Sequence, residues 1–216
     1  MLQQILEDLR PNSVKLVAVS KTKPNSAILD LYGQGQRIFG ENYVQELKQK
    51  HEELPKDIEW HMIGHLQSNK VKYIAPFIHT IHSVDSASLL KEINKRAKQH
   101  DRIINCLLQF HIAEESSKTG FSLEKVEEIL EQGLENVQNI NIQGVMGMAT
   151  FTSDKVQVKT EFQRLKTIFN QVKSKYFAEK EDFKDISMGM SGDYKLAIEE
   201  GSTMVRIGSL LFGARR

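Results

Sequence analysis

The chain has 216 residues and a mass of 24.7 kDa, a length that favours one compact domain over two. Its 29 Lys+Arg residues nearly balance 28 Asp+Glu, and the resulting formal charge of +1 disfavours a protein that coats nucleic acid or an anionic membrane. The single cysteine, Cys106, excludes an intrachain disulfide and a four-thiolate zinc site within one chain, and favours a reducing, cytoplasmic location.

The start of the chain predicts helix rather than a targeting segment. Residues 1–10 carry acids and glutamines where a signal peptide would have a basic start and an apolar core. No stretch approaches the roughly 18 consecutive apolar residues of a membrane-spanning helix. We therefore expect a soluble protein that has no membrane partner and begins with one or two helical turns.

Short apolar runs alternate with helical stretches, and eight of these runs predict strands. The first, residues 14–20, is apolar on both faces, as a buried parallel strand requires. The others lie at residues 37–39, 58–63, 77–84, 103–111, 140–148, 185–188 and 203–207.

The segments between the predicted strands carry the 3.6-residue period of amphipathic helices. Pro24, Asp85 or Ser86, and Ser122 are expected to begin three of them. The longest covers residue 154 to about residue 176, where apolar residues are spaced alternately four and three apart. Three such repeats are too few for a coiled coil, so this segment predicts one long barrel helix.

Eight strands that alternate with helices in 216 residues predict a single (β/α)8 barrel of the TIM type with an extra N-terminal helix, an α/β fold covering residues 1–216 as one domain. The alternative is an open, doubly wound sheet, in which a glycine-rich turn would follow the first strand. Residues 20–24 contain no glycine, which favours the barrel.

The loops after the seventh and eighth predicted strands carry small residues that suit an anion. The seventh strand runs into residues 189–193, Gly-Met-Ser-Gly-Asp, and the eighth runs into Gly208 and Ser209. Barrels commonly bind phosphate at these loops, where backbone N–H groups and hydroxyls converge. The pair predicts a phosphate site, although each turn alone is equally typical of a helix cap.

Two cations are expected to meet at the mouth of this barrel. Lys21 ends the first predicted strand, on the same face as Val17 and Val19. Barrel closure would bring it beside Arg206 of the eighth strand, and a neighbouring cation with partial desolvation lowers the pKa of an amine toward that of a nucleophile. A Schiff-base lysine needs these conditions, but a strand-end lysine can also reach solvent. Arg206 stands in an apolar strand and needs a carboxylate or a ligand as its partner.

Three further residues have ordinary structural explanations. Asn42 follows the second strand and is predicted to cap the next helix, with contact to a ligand as the alternative. Glu41 is expected near the barrel mouth. Cys106 lies inside an apolar strand and is predicted to belong to the core rather than to act as a nucleophile.

The histidines do not predict a metal site. His61 and His65 are separated by a strand end and a glycine, so they lack the rigid helical face of a zinc-binding motif. His79 and His82 are three apart on a predicted strand and would face opposite sides. Carboxylates are not clustered near them at ligand spacing.

Five motifs lie in order over nearly the whole chain. They are residues 16–24 (LVAVSKTKP), 39–46 (FGENYVQE), 60–70 (WHMIGHLQSNK), 187–191 (SMGMS) and 205–208 (VRIG). Together they resemble the YggS/PROSC family of pyridoxal phosphate homeostasis proteins. The resemblance implies a fold like the barrel domain of bacterial alanine racemase, without that enzyme's second domain.

The resemblance also implies a cofactor and the residues that bind it. Lys21 would hold pyridoxal 5′-phosphate (PLP) as an internal aldimine, and Arg206 would face the pyridine nitrogen. Because an arginine does not readily take the proton that a carboxylate partner would stabilise there, the ring is a poorer electron sink, which disfavours broad carbanion chemistry. The remaining residues are those around the phosphate, Ser191, Gly192, Gly208 and Ser209, and those from strands two and three, Asn42, Met62 and His61.

One departure from the family pattern falls after the fifth strand. Gln109 is followed by Phe110 and His111 where an asparagine is expected at position 111, so a role for His111 near the cofactor is in doubt. The next loop keeps a family-like Ser-Lys-Thr-Gly run, in which Lys118 is a second candidate amine.

Three functions remain open. The first is a PLP-binding protein of PLP homeostasis, a monomer or weak dimer that buffers the reactive aldehyde, can pass it to the apo-forms of PLP-dependent enzymes and has no robust turnover. The second is a PLP-dependent amino-acid racemase, which needs a second acid/base that alanine racemase takes from its other domain. The third is a barrel enzyme in which Lys21 forms a Schiff base with a sugar phosphate.

Overall fold

Eight strands position everything else in the molecule. A computed structural model describes residues 1–114, 119–133 and 137–213. The strands are β1 Lys15–Val19, β2 Ile38–Glu41, β3 Glu59–Met62, β4 Thr80–Val84, β5 Ile104–Phe110, β6 Ile140–Gly147, β7 Asp185–Ser187 and β8 Met204–Ile207. Each pairs in parallel with the next, and β8 pairs with β1. The closed barrel predicted from the sequence is confirmed.

Helices alternate with the strands and include the predicted N-terminal one. They are α1 Leu2–Leu9, α2 Asn25–Gly33, α3 Val44–Glu53, α4 Ala87–Gln99, α5 Leu123–Glu131, α6 Lys155–Tyr176, α7 Tyr194–Glu199 and α8 Ser209–Phe212, with 3-10 helices at Arg10–Asn12 and Ser68–Tyr73. The predicted caps Ser86 and Ser122 accept hydrogen bonds from the first turns of α4 and α5. Across the described ranges, no helix is both long and apolar enough to cross a membrane.

Strand β4 starts three residues later than predicted. The N–H groups of Phe77 and Ile78 both donate to the carbonyl oxygen of Ile74, at 3.0 and 2.8 Å. These two residues therefore close a helical turn, although their apolar side chains are equally typical of a strand.

Buried side chains fall into two regions because side chains alternate along each strand. Leu16, Ala18 and Trp60 are buried in the continuous apolar core around the barrel. Val17 faces the inside, where a Cβ on Gly40 would lie only 2.8 Å from Val17 Cγ1. Gly40 therefore leaves room for the inward side chains of the neighbouring strands.

The 22-residue helix α6 begins at a side-chain cap. Asp154 Oδ1 accepts hydrogen bonds from the N–H groups of Val156 and Gln157, at 2.9 and 3.2 Å. Asp154→Ala is expected to lower the free energy of unfolding by about 1 kcal/mol, measured by urea denaturation. Asp30→Ala, an exposed change inside α2, serves as the control and is expected to cause no loss. Equal losses in the two variants would contradict the cap.

Candidate functional site

A cavity of about 510 Å³ opens at the carboxyl ends of the strands. Seven of the eight predicted binding residues line it, namely Lys21, Asn42, Ser191, Gly192, Arg206, Gly208 and Ser209. They follow or end strands β1, β2, β7 and β8, so barrel closure brings together residues from both ends of the chain. Cavities of this size and position typically bind small molecules in barrels.

The prediction for Met62 differs from the structure. Met62 is fully buried in the apolar core outside the barrel, and its neighbour Ile63 lines the cavity instead. His61 likewise lies below the cavity and does not line it. Alternation explains Met62, since a residue that faces the barrel interior is flanked by residues that face the helices. His61 faces the interior as Ile63 does, but it lies two residues earlier in the strand direction.

Lys21 is carried by a short turn whose backbone is held from outside the barrel. Thr22 adopts a left-handed conformation with φ of 63°, and its N–H donates to Glu46 Oε1 at 2.6 Å. On the other side of Lys21, the carbonyl oxygen of Ser20 accepts a hydrogen bond of 2.7 Å from Lys50 Nζ. Contacts on both flanking residues therefore fix the place from which Lys21 enters the cavity.

The same turn rests on a buried ion pair. Lys50 Nζ lies 2.7 Å from Glu41 Oε1 and 2.6 Å from Glu46 Oε1, and the Ser20 hydroxyl donates to Glu41 Oε1 at 2.6 Å. Burial raises the pKa of Glu41, and the nearby Lys50 charge opposes that rise. Glu41 thus faces away from the barrel mouth where the sequence placed it, and it supports the turn that carries Lys21.

Asn42 is not the helix cap that the sequence predicts. Tyr43 occupies the cap position of α3 and makes no side-chain capping bond. Asn42 lines the cavity, and its buried Oδ1 has no hydrogen-bond partner. A Cβ on Gly64 would lie only 2.5 Å from the Asn42 carbonyl oxygen, so Gly64 allows the next strand's loop to press against this residue. The orphaned Oδ1 is suited to accept a hydrogen bond from a ligand.

Lys23 also lines the cavity but has a structural role. Its ammonium donates to the carbonyl oxygens of Phe212 and Gly213, at 3.0 and 3.3 Å. These carbonyls belong to the end of α8, where a cation is favourable. Lys23 therefore ties the first loop to the last helix, in line with its predicted role as a loop charge.

The two predicted anion loops lie side by side at the cavity. Ser191 Oγ accepts a hydrogen bond of 3.3 Å from the N–H of Gly208, which joins the loop after β7 to the loop after β8. A Cβ on Gly192 would meet no atom within 4 Å, whereas one on Gly208 would lie 3.2 Å from the Val19 carbonyl oxygen. The backbone at Gly192 is thus open to a ligand, and Gly208 permits close packing against β1.

Arg206 is a buried cation at the floor of the cavity. It donates from Nη1 to Ser187 Oγ at 2.6 Å and from Nη2 to the Gly147 carbonyl oxygen at 3.1 Å. Burial lowers its pKa to about 10, an effect that the Asp193 charge opposes, so the guanidinium stays protonated at neutral pH. Its two hydrogen-bond acceptors are neutral, where the sequence suggested a carboxylate or a ligand.

A chain of hydrogen bonds runs from Arg206 through the barrel interior. Ser187 Oγ lies 3.0 Å from His82 Nδ1, and His82 Nε2 lies 2.8 Å from His61 Nδ1. Because β4 and β7 are not neighbours in the barrel, the bond between Ser187 and His82 crosses the interior. Burial lowers the pKa of both histidines well below its usual value, so both rings are neutral at neutral pH.

The protons of this hydrogen-bond network can be arranged in two ways. In one, Ser187 donates to His82 and His82 donates to His61, which leaves the proton of His61 on Nε2. In the other, His61 donates from Nδ1 to His82 and His82 donates to Ser187, which leaves His61 Nε2 with a lone pair. His61 Nε2 is buried without a hydrogen-bond partner.

The loop after β6 forms a wall of the cavity that the sequence analysis missed. Residues 148–152 line the cavity, and Phe151 is 95 % exposed at its rim. The loop is anchored at Thr150, whose N–H and hydroxyl donate to the two carboxylate oxygens of Glu161, both at 2.6 Å. Residues 148–152 contain no recognisable binding or catalytic motif, so the sequence does not predict that they line the cavity. Their position depends on the contact between Thr150 and Glu161 of α6.

The remaining candidates are His111, Lys118 and Cys106. His111 lines a separate groove with Phe121 and Arg164, and it does not line the main cavity. Lys118 lies outside the described residues. Cys106 is fully buried, as predicted for a core residue, and burial raises the pKa of its thiol to about 12.

Comparisons with known proteins place these features in a family. The alanine racemase N-terminal domain family matches residues 2–216. The chain is 38 % identical over 206 residues to the pyridoxal phosphate homeostasis protein of Aquifex aeolicus, covering 95 % of this chain and 89 % of that protein. It is 36 % identical over 209 residues to the protein of the same name from Escherichia coli, covering 95 % and 87 %.

Solved structures agree with the barrel. PipY of Synechococcus elongatus with PLP bound matches with a TM-score of 0.86 and 34 % identity, over 99 % of this chain and all of that one. Alanine racemase of Clostridium difficile matches with a TM-score of 0.74 and 15 % identity, over 99 % of this chain and 56 % of that enzyme. The second likeness concerns the fold alone.

Proposed function

Since the chain belongs to the pyridoxal phosphate homeostasis protein family, we propose that it binds PLP in the barrel cavity and holds it covalently on Lys21. The observation that supports this proposal is that Lys21, Arg206 and both small-residue loops line the same cavity. It supports a ligand with one group that reacts with an amine and another that is anionic.

The cavity has the volume, the open backbone and the unpaired hydrogen-bond acceptor that a PLP site requires. The volume of about 510 Å³ suits a ligand of this size. The open backbone at Gly192 leaves space for the phosphate. The orphaned Oδ1 of Asn42 lacks a hydrogen-bond donor that a bound molecule can supply. When bound, PLP supplies an aldehyde that a lysine amine can hold covalently.

Different residues of the cavity would contact different parts of the ligand. Lys21 provides the amine, and the turn held by Glu46 and Lys50 fixes its approach. Ser191 and Gly208 stand in the joined loops that would surround the phosphate. Asn42 would orient the ligand through its unused carbonyl oxygen.

We propose that Arg206 faces the pyridine nitrogen and limits the chemistry at the site. Its guanidinium is buried and donates to Ser187 and Gly147, so its orientation is fixed. A guanidinium offers only N–H donors and remains charged, so it does not stabilise a proton on the ring nitrogen as a carboxylate would. The cofactor would therefore be held with little ability to withdraw electrons from a substrate.

Binding without robust turnover is the activity that we propose for this site. Among the described residues that line the cavity, the titratable ones are Lys21, Lys23, Asp193 and Arg206, and none is a tyrosine, histidine, cysteine or glutamate. Racemisation requires a second acid/base on the face of the ring opposite the lysine. Lys23 is engaged with the end of α8, which argues against that role for it.

The same proposal extends to partners and location. A bound but unreactive aldehyde can be stored and passed to the apo-forms of PLP-dependent enzymes by a cytoplasmic monomer or weak dimer. The buried, free Cys106 is compatible with a reducing compartment.

The absorbance spectrum of the purified protein tests the proposed function. With PLP we expect a visible band that borohydride removes, together with a permanent mass increase of the chain. With L-alanine we expect optical rotation to change at the background rate. Sustained racemisation would favour the racemase, and a protein that takes up no PLP would favour the sugar-phosphate barrel.

A further inference from the structure

A second cluster of ligating side chains lies at the amino-terminal end of the barrel, opposite the PLP cavity. Glu59 begins β3, His61 lies two residues further, and His79 directly precedes β4. One ligand atom from each lies within 4.8 Å of the others. We propose that Glu59, His61 and His79 bind a divalent transition metal ion of the zinc type.

The two histidine rings of the cluster are stacked, and two of its three side chains reach solvent. The rings of His61 and His79 are parallel within 3°, with centroids 5.5 Å apart. His79 Nε2 lies 3.6 Å from Glu59 Oε2, which is too long for a hydrogen bond. The side chains of His79 and Glu59 are 44 % and 45 % exposed, whereas His61 is buried. An ion can therefore enter from solvent and reach a buried ligand.

The unpartnered nitrogen of His61 is independent evidence for a ligand. Its Nε2 is buried and has no hydrogen-bond partner. An unsatisfied buried polar atom is unfavourable, since it has lost its bond to water without replacement. Pairing of His79 with Glu59 leaves this atom unsatisfied, but a metal ion within the cluster would satisfy it.

Both histidines have their other ring nitrogen engaged, as metal-bound histidines do. His79 Nδ1 lies 2.9 Å from Thr80 Oγ1, and His61 Nδ1 lies 2.8 Å from His82 Nε2. Such hydrogen bonds fix the orientation of a ligating ring and favour the tautomer whose free nitrogen can bind metal. The hydrogen-bond network of the barrel interior has two proton arrangements, and a bound metal ion selects the one in which His61 donates to His82.

The set of donors indicates the class of ion. Two imidazoles and one carboxylate are ligands that Zn²⁺ and similar ions accept, with water in the remaining positions. Lys15, which begins β1 at the same end of the barrel, is paired with Asp185 at 3.0 Å, which reduces its repulsion of an ion. The sequence does not predict this site, because Glu59 and His61 of β3 meet His79 only through the pairing of β3 with β4.

Metal titration tests this site. Tag-free protein is treated with a chelator, then titrated with Zn²⁺ by calorimetry and with Co²⁺ by visible absorption. We expect one ion per chain. His79→Ala and Glu59→Gln are each expected to weaken binding at least about tenfold, the order of loss seen even when a supporting contact to a metal ligand is removed. Both changes are at exposed side chains, so the variants should fold even if His61→Ala does not.

His65→Ala is the matched control, because His65 is exposed and lies near Asp85 rather than in the cluster. It is expected to bind metal as the unchanged protein does. The proposal is overturned if the unchanged protein binds neither ion, or if His79→Ala and Glu59→Gln bind both ions with unchanged affinity. Uptake of PLP is measured on the same samples, so failure of the metal site is distinguishable from failure of the proposed function.

Discussion

Lys21→Ala is expected to abolish covalent attachment of PLP while the barrel stays folded. Lys21 supplies the proposed amine. Among the described residues that line the cavity, the other lysine is Lys23, which donates to the end of α8. The turn itself is held through the Thr22 N–H and the Ser20 carbonyl, which the substitution retains. After borohydride treatment, intact-mass measurement should detect the adduct on the unchanged protein and none on the variant.

Lys23→Ala provides the matched control, since it removes an amine from the same cavity wall. It is expected to keep the borohydride-stable adduct, which peptide mapping should locate on Lys21. An adduct of undiminished yield on Lys21→Ala would contradict the assignment. A large drop in the melting temperature of the apo-variant relative to the apo-form of the unchanged protein would contradict the placement of Lys21 at the barrel mouth.

Lys50→Met is expected to lower the free energy of unfolding by about 3 to 5 kcal/mol, because it leaves Glu41 buried without its counter-ion. Lys50 also donates to the Ser20 carbonyl and to Glu46, so the turn that carries Lys21 loses support as well. Urea denaturation of the apo-protein measures the loss. Lys48→Met, which removes an exposed pair with Glu52 in the same helix, should change stability by only about 0.5 kcal/mol.

The loss in Lys50→Met should also depend on pH. The folded-state pKa of Glu41 is raised above its usual 4.5, so the folded protein binds the proton more tightly than the unfolded chain. The contribution of Glu41 to stability is therefore greatest below pH 4.5 and falls as the pH rises toward the folded-state pKa. Removing Lys50 raises that pKa further, so the deficit of the variant should grow from acid to neutral pH.

Lys50→Met combined with Glu41→Gln is the control for this pH dependence. Neither this double variant nor Glu41→Gln has a buried carboxylate at position 41, so the deficit of the double variant relative to Glu41→Gln should stay constant across the same pH range. A deficit in Lys50→Met that shrinks toward neutral pH would show that the buried Glu41 charge is not its cause.

The strands and their order could be predicted because each depends on local apolar runs and on a rule for joining them. Parallel strands that alternate with helices leave few arrangements, and the absence of glycine in the residues after β1 argued against the main alternative, an open doubly wound sheet. The presence of Lys21 and Arg206 in one cavity followed from closure, since β1 must then pair with β8, although the residue beside Arg206 in that pairing is Val17. The limits of β4 could not be predicted, because the apolar side chains of Phe77 and Ile78 suit a strand and a turn equally.

Contacts between distant residues account for what the sequence left open. Glu41 and Lys50 lie on different elements, and nothing local indicates that Glu41 turns away from the barrel mouth to meet Lys50. Met62 was misplaced by one residue, which in a strand is the difference between the interior and the outer core. The buried chain from His61 to Arg206 joins four strands and depends on side-chain packing that no motif encodes.

The pairing of β1 with β8 has a consequence for how the protein is made. Val17 lies beside Arg206, so the contact that closes the barrel joins residues that are far apart in the sequence. Contacts of this kind form late and slow the folding of a chain. During synthesis β1 emerges well before β8, so the barrel closes only after β8 has been made. The proposed PLP site is incomplete until then, and loading of a chain with PLP is expected to report that its barrel has closed.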